Sequence, residues 1–181
     1  MTYRNVVSAV VRALAAETIN STGGCDYEPK VQCAKLKGEI IGKEAAFLQD
    51  CWVFGRLHKA LAPAHWRVLV AKYSTHVERK HAAIAELTRS VRSPASKRFL
   101  HCAVVTWALP KLPGMDGKRS TSVLPAGWYE MDNWSDESHP IKTQERWRRE
   151  IRKALEREVD EALMSAQVLL DAEELIETQA A

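Results

Sequence analysis

The chain is short of the residues that announce chemistry. Its four cysteines, Cys25, Cys33, Cys51 and Cys102, form no CxxC pair and carry no histidine at the spacing a zinc ribbon or finger needs. They read as reduced, partly buried thiols, and no metal site is expected. Glycine is scarce and falls in three groups, Gly23 with Gly24, then Gly38, Gly42 and Gly55, then Gly114, Gly117 and Gly127. None of these builds a phosphate-cradling loop, and GxSxG, HExxH and paired-carboxylate signatures are missing too. His76 and His81 bracket Glu78 but stand five apart, where two ligands on one helical face need four. Asp132, Asp136, Glu137 and His139 are the one acidic group near a histidine, and their Trp- and Ser-bearing surroundings read as a solvated loop. The expectation is a protein that is not an enzyme and needs no cofactor.

Long apolar runs are absent as well. No stretch of about 18 apolar residues is available to span a bilayer. The first twenty residues look superficially like a signal peptide, but Arg12 interrupts the apolar stretch and Glu17 closes it. They read instead as an amphipathic helix of a cytoplasmic protein. At 181 residues, 46% apolar and 27% charged, the chain has the composition of one ordinary globular domain with a single core.

What is present is a charge asymmetry hidden by a net +3. Between Arg56 and His101 ten Lys or Arg face two acids, Glu78 and Glu86, so the segment is +8 and also holds five of the six histidines. From Glu158 onward there are seven acids and no Lys or Arg. The two regions face different partners or face each other.

The pattern of apolar residues is helical nearly throughout. Residues 3–19 place Val6, Val7, Val10, Val11, Leu14 and Ile19 near one face, and a second helical region spans 39–61. Three short helices follow. The first, over 64–73, carries Trp66, Leu69, Val70 and Tyr73 at i, i+3, i+4, i+7; the second, over 78–87, has small residues that let another helix approach closely. The third, over 95–109, starts at Ser93-Pro94, a cap followed by proline at the first helical position, and stops at Pro110. Residues 111–139 are loop-like, with Trp128, Tyr129 and Trp134 in a segment that a short hairpin would suit. A last helix over 143–177 carries Trp147, Ile151, Leu155 and Val159 at the head of a long apolar stripe. The expected fold is all-α: an N-terminal helical part (1–62), a helix-turn-helix unit (63–110), a loop region (111–141) and a long C-terminal helix (142–181).

A helix-turn-helix needs small or branched residues where its helices cross, a tight connection, and a second helix whose outward positions reach phosphates and base edges. Ile84-Ala85-Glu86-Leu87 followed by Ser93-Pro94-Ala95-Ser96-Lys97-Arg98-Phe99-Leu100-His101-Cys102-Ala103 resembles that of sigma-factor region 4, with Trp66-Arg67-Val68-Leu69-Val70-Ala71-Lys72-Tyr73 as the preceding helix. The resemblance covers about a quarter of the chain and implies an outward face of Ser93, Ala95, Ser96, Lys97, Arg98 and His101, with Arg89 and Arg92 in the turn. Arg and Lys suit guanine acceptors in the major groove of double-stranded DNA, and Ser and the turn arginines suit phosphates.

With Trp107-Ala108-Leu109-Pro110-Lys111, Gly117-Lys118-Arg119 and a last helix opening on Gln144-Glu145-Arg146-Trp147-Arg148-Arg149, the whole is similar to phage regulators of the Q antiterminator class. The resemblance implies a regulator acting in the cytoplasm of a bacterial host. It would bind an element overlapping a late promoter and load onto RNA polymerase paused with its sigma factor. The cysteine spacing places the chain with the zinc-free branch or with another phage regulator. Trp147, Ile151, Leu155 and Val159 are the expected partner surface. Antiparallel pairing of two last helices would set their basic first half against the acidic second, so a homodimer is one expected assembly, and a helix packed on its own domain the other. A repressor or activator that never rides on polymerase, or a small terminase subunit that uses the last helix for ring assembly, remains the alternative.

Overall fold

A computed structural model of the chain describes residues 2–21, 43–111, 123–135 and 139–176, and among them the fold is all-α. Six helices follow one another: α1 (Val6–Ser21), α2 (Lys43–Ala60), α3 (Pro63–Tyr73), α4 (Val77–Ser90), α5 (Lys97–Ala108) and α6 (Ile141–Asp171). Between α5 and α6 lie two 3-10 turns, Ala126–Tyr129 and Met131–Trp134. They occupy the described part of the region where a hairpin was expected, and no strand forms there. Aromatics explain the difference: Trp134 is buried against Phe99 of α5, so this segment pairs with a helix rather than with a second strand.

Local chemistry starts the helices where the chain allows. Asn5 and Ser8 cap α1 reciprocally, the Ser8 amide donating to Asn5 Oδ1 at 2.8 Å and the Asn5 amide to Ser8 Oγ at 3.3 Å. Pro63 opens α3 with its fixed φ. His76 caps α4 through a ring nitrogen that accepts from the Arg79 amide. For α5 the expected Ser93-Pro94 start is wrong by three residues. Ser96 is the cap, its hydroxyl accepting from the Phe99 amide at 3.3 Å, while Ser93 accepts from the Ala95 amide in a turn of its own. Two serines compete for the same role, and the burial of Val91 with the packing of Ala95 on the core keeps residues 91–96 out of the helix.

The long helix supplies the spine. At 31 residues and about 1.5 Å each, α6 runs about 46 Å and packs in turn on α5, α3, α1 and α2. Its stripe Trp147, Ile151, Leu155, Val159, Ala162, Ala166 and Leu170 is entirely buried. The four residues expected to meet a partner therefore belong to the core, and a separable C-terminal helix is ruled out by what they touch: Trp147 lies edge-on to Phe99 at 5.7 Å. Periodicity reports that a face is covered, not by what. At its far end α6 stops at Asp171, and in the turn that follows Glu174 takes a φ of 54°, a conformation that glycine usually supplies. The chain then turns back so that the Leu175 carbonyl accepts from the Tyr3 amide at 2.7 Å. Tyr3 in turn donates its hydroxyl to the buried Asp50, which Arg12 also grips, tying both ends of the described chain to α2. No helix among the described residues is long and apolar enough to cross a membrane.

Candidate nucleic-acid interface

Helices α3, α4 and α5 pack successively, with Ala83, Ile84 and Leu87 of α4 buried at the crossing. The corner between α4 and α5, residues 91–96, is anchored by Val91, whose amide donates to the Leu87 carbonyl at 3.0 Å, and by Ala95 against the core. With those two held inward, Arg89, Arg92, Ser96, Lys97, Arg98 and His101 are exposed. Ser93 and Ala95 are half-buried and do not belong to the outward face. No Asp or Glu occurs between Glu86 and Asp116. Among the described residues Arg89, Arg92 and Lys97 make no ion pair. The N-terminus of α5 adds its partial positive charge to the same place.

The reading helix is shorter than expected. After His101, α5 is enclosed: Cys102, Ala103, Val104, Val105, Trp107 and Ala108 are all buried. Burial pushes the Cys102 thiol up, against the opposing pull of the Arg98 guanidinium, and keeps it protonated. Only the first turn and a half of α5 can approach a groove, about 6 Å of helix from Lys97 to His101.

Half of the ten cations of the +8 segment are engaged by other groups of the molecule. Arg56 pairs with Glu173 at 2.9 Å and Arg67 with Glu86 at 2.9 Å. Lys72 reaches Glu156 at 2.8 Å and lies 4.5 Å over the Trp107 ring, whose indole N–H donates to the same carboxylate at 2.9 Å. Burial raises the Glu156 carboxyl, but the hydrogen bonds from Lys72 and Trp107 and the charges of Lys72 and Arg152 outweigh it, so it sits below its ordinary value. Lys80 donates to the carbonyls of Lys72 and Ser74, capping the end of α3, and desolvation with the Lys72 charge lowers its pKa. Arg79 lies over Phe54. A segment total thus overstates the surface; of the cations left exposed, Lys59 stands apart on α2, and Arg89, Arg92 and Lys97 gather at the corner.

One contributor has no counterpart in the sequence pattern of the helix-turn-helix. Arg148 of α6 stands 5.5 Å over Trp134, which meets Phe99 edge-on at 5.3 Å, so a cation from the last helix rests on the stack that carries the first turn of α5. Arg146, Arg149, Arg152 and Lys153 are exposed on the same half of α6. The run Trp147-Arg148-Arg149 carried the signal, since a buried Trp followed by Arg puts that Arg at the edge of the covered face.

Elsewhere, an open groove of about 680 Å³ runs between the end of α2, α3 and α4, walled by Phe54, His58 and Trp66 and crossed by the Arg67–Glu86 pair. Among the described residues no group of three or more His, Cys, Asp or Glu could hold a metal ion. Cys25, Cys33, Asp136 and Glu137 lie outside them. No protein-family model matches the chain, and no match was found among curated proteins or solved structures.

Proposed function

We propose that the chain binds double-stranded DNA through the α4–α5 corner and regulates transcription by contact rather than chemistry. The observation that carries this reading is the set Arg89, Arg92 and Lys97, exposed, without ion pairs among the described residues and set beside the N-terminus of α5 in a stretch empty of acids. A helix presented end-on places its first residues at base edges while cations in the preceding turn take phosphates. With His101 as the last exposed residue of that face, phosphate contacts supply most of the affinity and few positions are read directly. In its sharper form the proposal is a polymerase-associated antiterminator, supported by the resemblance of the helix-turn-helix and of the arginine-rich opening of α6 to the Q class. The packaging alternative loses its main support, because the apolar stripe that ring assembly would use is spent on the core. Transcription past a terminator with purified polymerase tests the sharper form. Readthrough that needs both this protein and an upstream DNA element is the expected result; readthrough independent of the DNA element, or none, overturns it.

A further inference from the structure

Beside the corner lies a second feature that duplex binding leaves unused. The 3-10 turns and α5 border an open cleft of about 440 Å³, within the roughly 300–1,000 Å³ of small-ligand sites. Trp128, His101, Trp134, Cys102, Arg98 and Asn133 line it.

The aromatics of this segment have different duties. Trp134 is a core plug, 1% exposed, whose indole donates to the Trp128 carbonyl at 2.8 Å. Tyr129 is a strap, its hydroxyl donating to the Leu109 carbonyl at 3.0 Å. Trp128 is held by its neighbours yet half-exposed, edge-on to His101 at 6.0 Å, and its indole N–H has no partner among the described residues. Asn133 spends its amide N–H groups on the Gly127 carbonyl and Glu130, which leaves its carbonyl oxygen as an acceptor. A half-exposed indole with a spare donor and an amide with a spare acceptor thus line the same cleft as a guanidinium. Bases stack on aromatic faces whatever their identity, and arginine takes the attached phosphate.

The geometry points to this cleft as a site for one unpaired base, carried on the phosphodiester of a strand opened next to the duplex that the corner holds. Trp128 stacks on the base and donates to its edge, Asn133 accepts from it, and Arg98 and Lys97 meet the flanking phosphates. The site rests on the duplex-binding reading, since Arg98 and His101 stand at the join of corner and cleft.

Anisotropy of labelled oligonucleotides on the full chain tests it, with four probes of one sequence: a paired duplex, the same duplex with a two-nucleotide bubble, single-stranded DNA and single-stranded RNA. The bubble should bind about tenfold tighter than the paired duplex, the scale of one base stacked on an aromatic ring. Trp128→Ala should erase that preference and leave the paired duplex as before; Trp128→Phe should keep most of it. Equal affinity of the native chain for bubble and duplex, or a preference that survives Trp128→Ala, overturns the site. A stronger preference for RNA than for the bubble overturns the assignment to DNA. Trp128-dependent binding of single strands with no binding of paired duplex would sustain the cleft and sink the duplex reading instead. Thermal unfolding by circular dichroism checks both variants for intact folding.

Discussion

The crossing of α3, α5 and α6 and the corner of α4 and α5 treat their cations in opposite ways. At the crossing, Lys72, Trp107 and Glu156 satisfy one another. At the corner, Arg89, Arg92 and Lys97 are left to solvent beside the open end of a helix. Both regions use α5, whose far half is core and whose first turn exposes Lys97 and Arg98 while burying Phe99 and Leu100. A cation that joins helices is spent on stability; one that joins nothing is available to a partner.

The largest effect that separates the two regions comes from the crossing. Leu155 is fully buried there, and Leu155→Ala should cost about 2–5 kcal/mol in chemical denaturation. Deleting residues 142–181 should leave no cooperative transition at all. A truncated chain that still unfolds cooperatively would show that α6 decorates the domain rather than building it.

Next in size, changing Lys97 and Arg98 to Ala should weaken duplex binding by about 1–3 kcal/mol for each base no longer read, while shifting stability by no more than about 0.5 kcal/mol. A mobility shift and a melt on the same sample check both halves. An unfolding defect in that double variant would move the corner into the same category as the crossing.

Smaller still is the pH response of the crossing. The folded Glu156 carboxyl lies below its unfolded value, so its contribution to stability is present above the ordinary carboxylate value of about 4.3 and is lost as pH falls through the folded value. Below about pH 4.3 the native chain should therefore lose stability more steeply than Glu156→Gln. Parallel stability–pH curves for the two would remove Glu156 from the account.

Helix content and the number of helices after residue 43 were legible because apolar spacing is a local record of burial, and α6 is the plainest case. What covers each stripe is a tertiary matter. Leu155 and Val159 have the same spacing whether they meet α3 or another protein. The start of α5 was misplaced because Ser93 and Ser96 are equally good caps, and the packing of Ala95, invisible locally, decides between them. Arg89, Arg92 and Lys97 could be picked out by their types. That Lys72 and Lys80 are not their equals depends on Glu156, 84 residues from Lys72 in the chain, and on the end of α3.

Anisotropy of a paired duplex across a salt series, with the native chain and an Arg89→Ala, Arg92→Ala, Lys97→Ala triple variant, tests the unspent cations most directly. Every phosphate that a substitution leaves without its cation should flatten the slope of log affinity against log salt by about 0.9, so the triple variant should bind more weakly and respond to salt less by up to about 3. Identical affinity and slope in the two proteins would contradict the account.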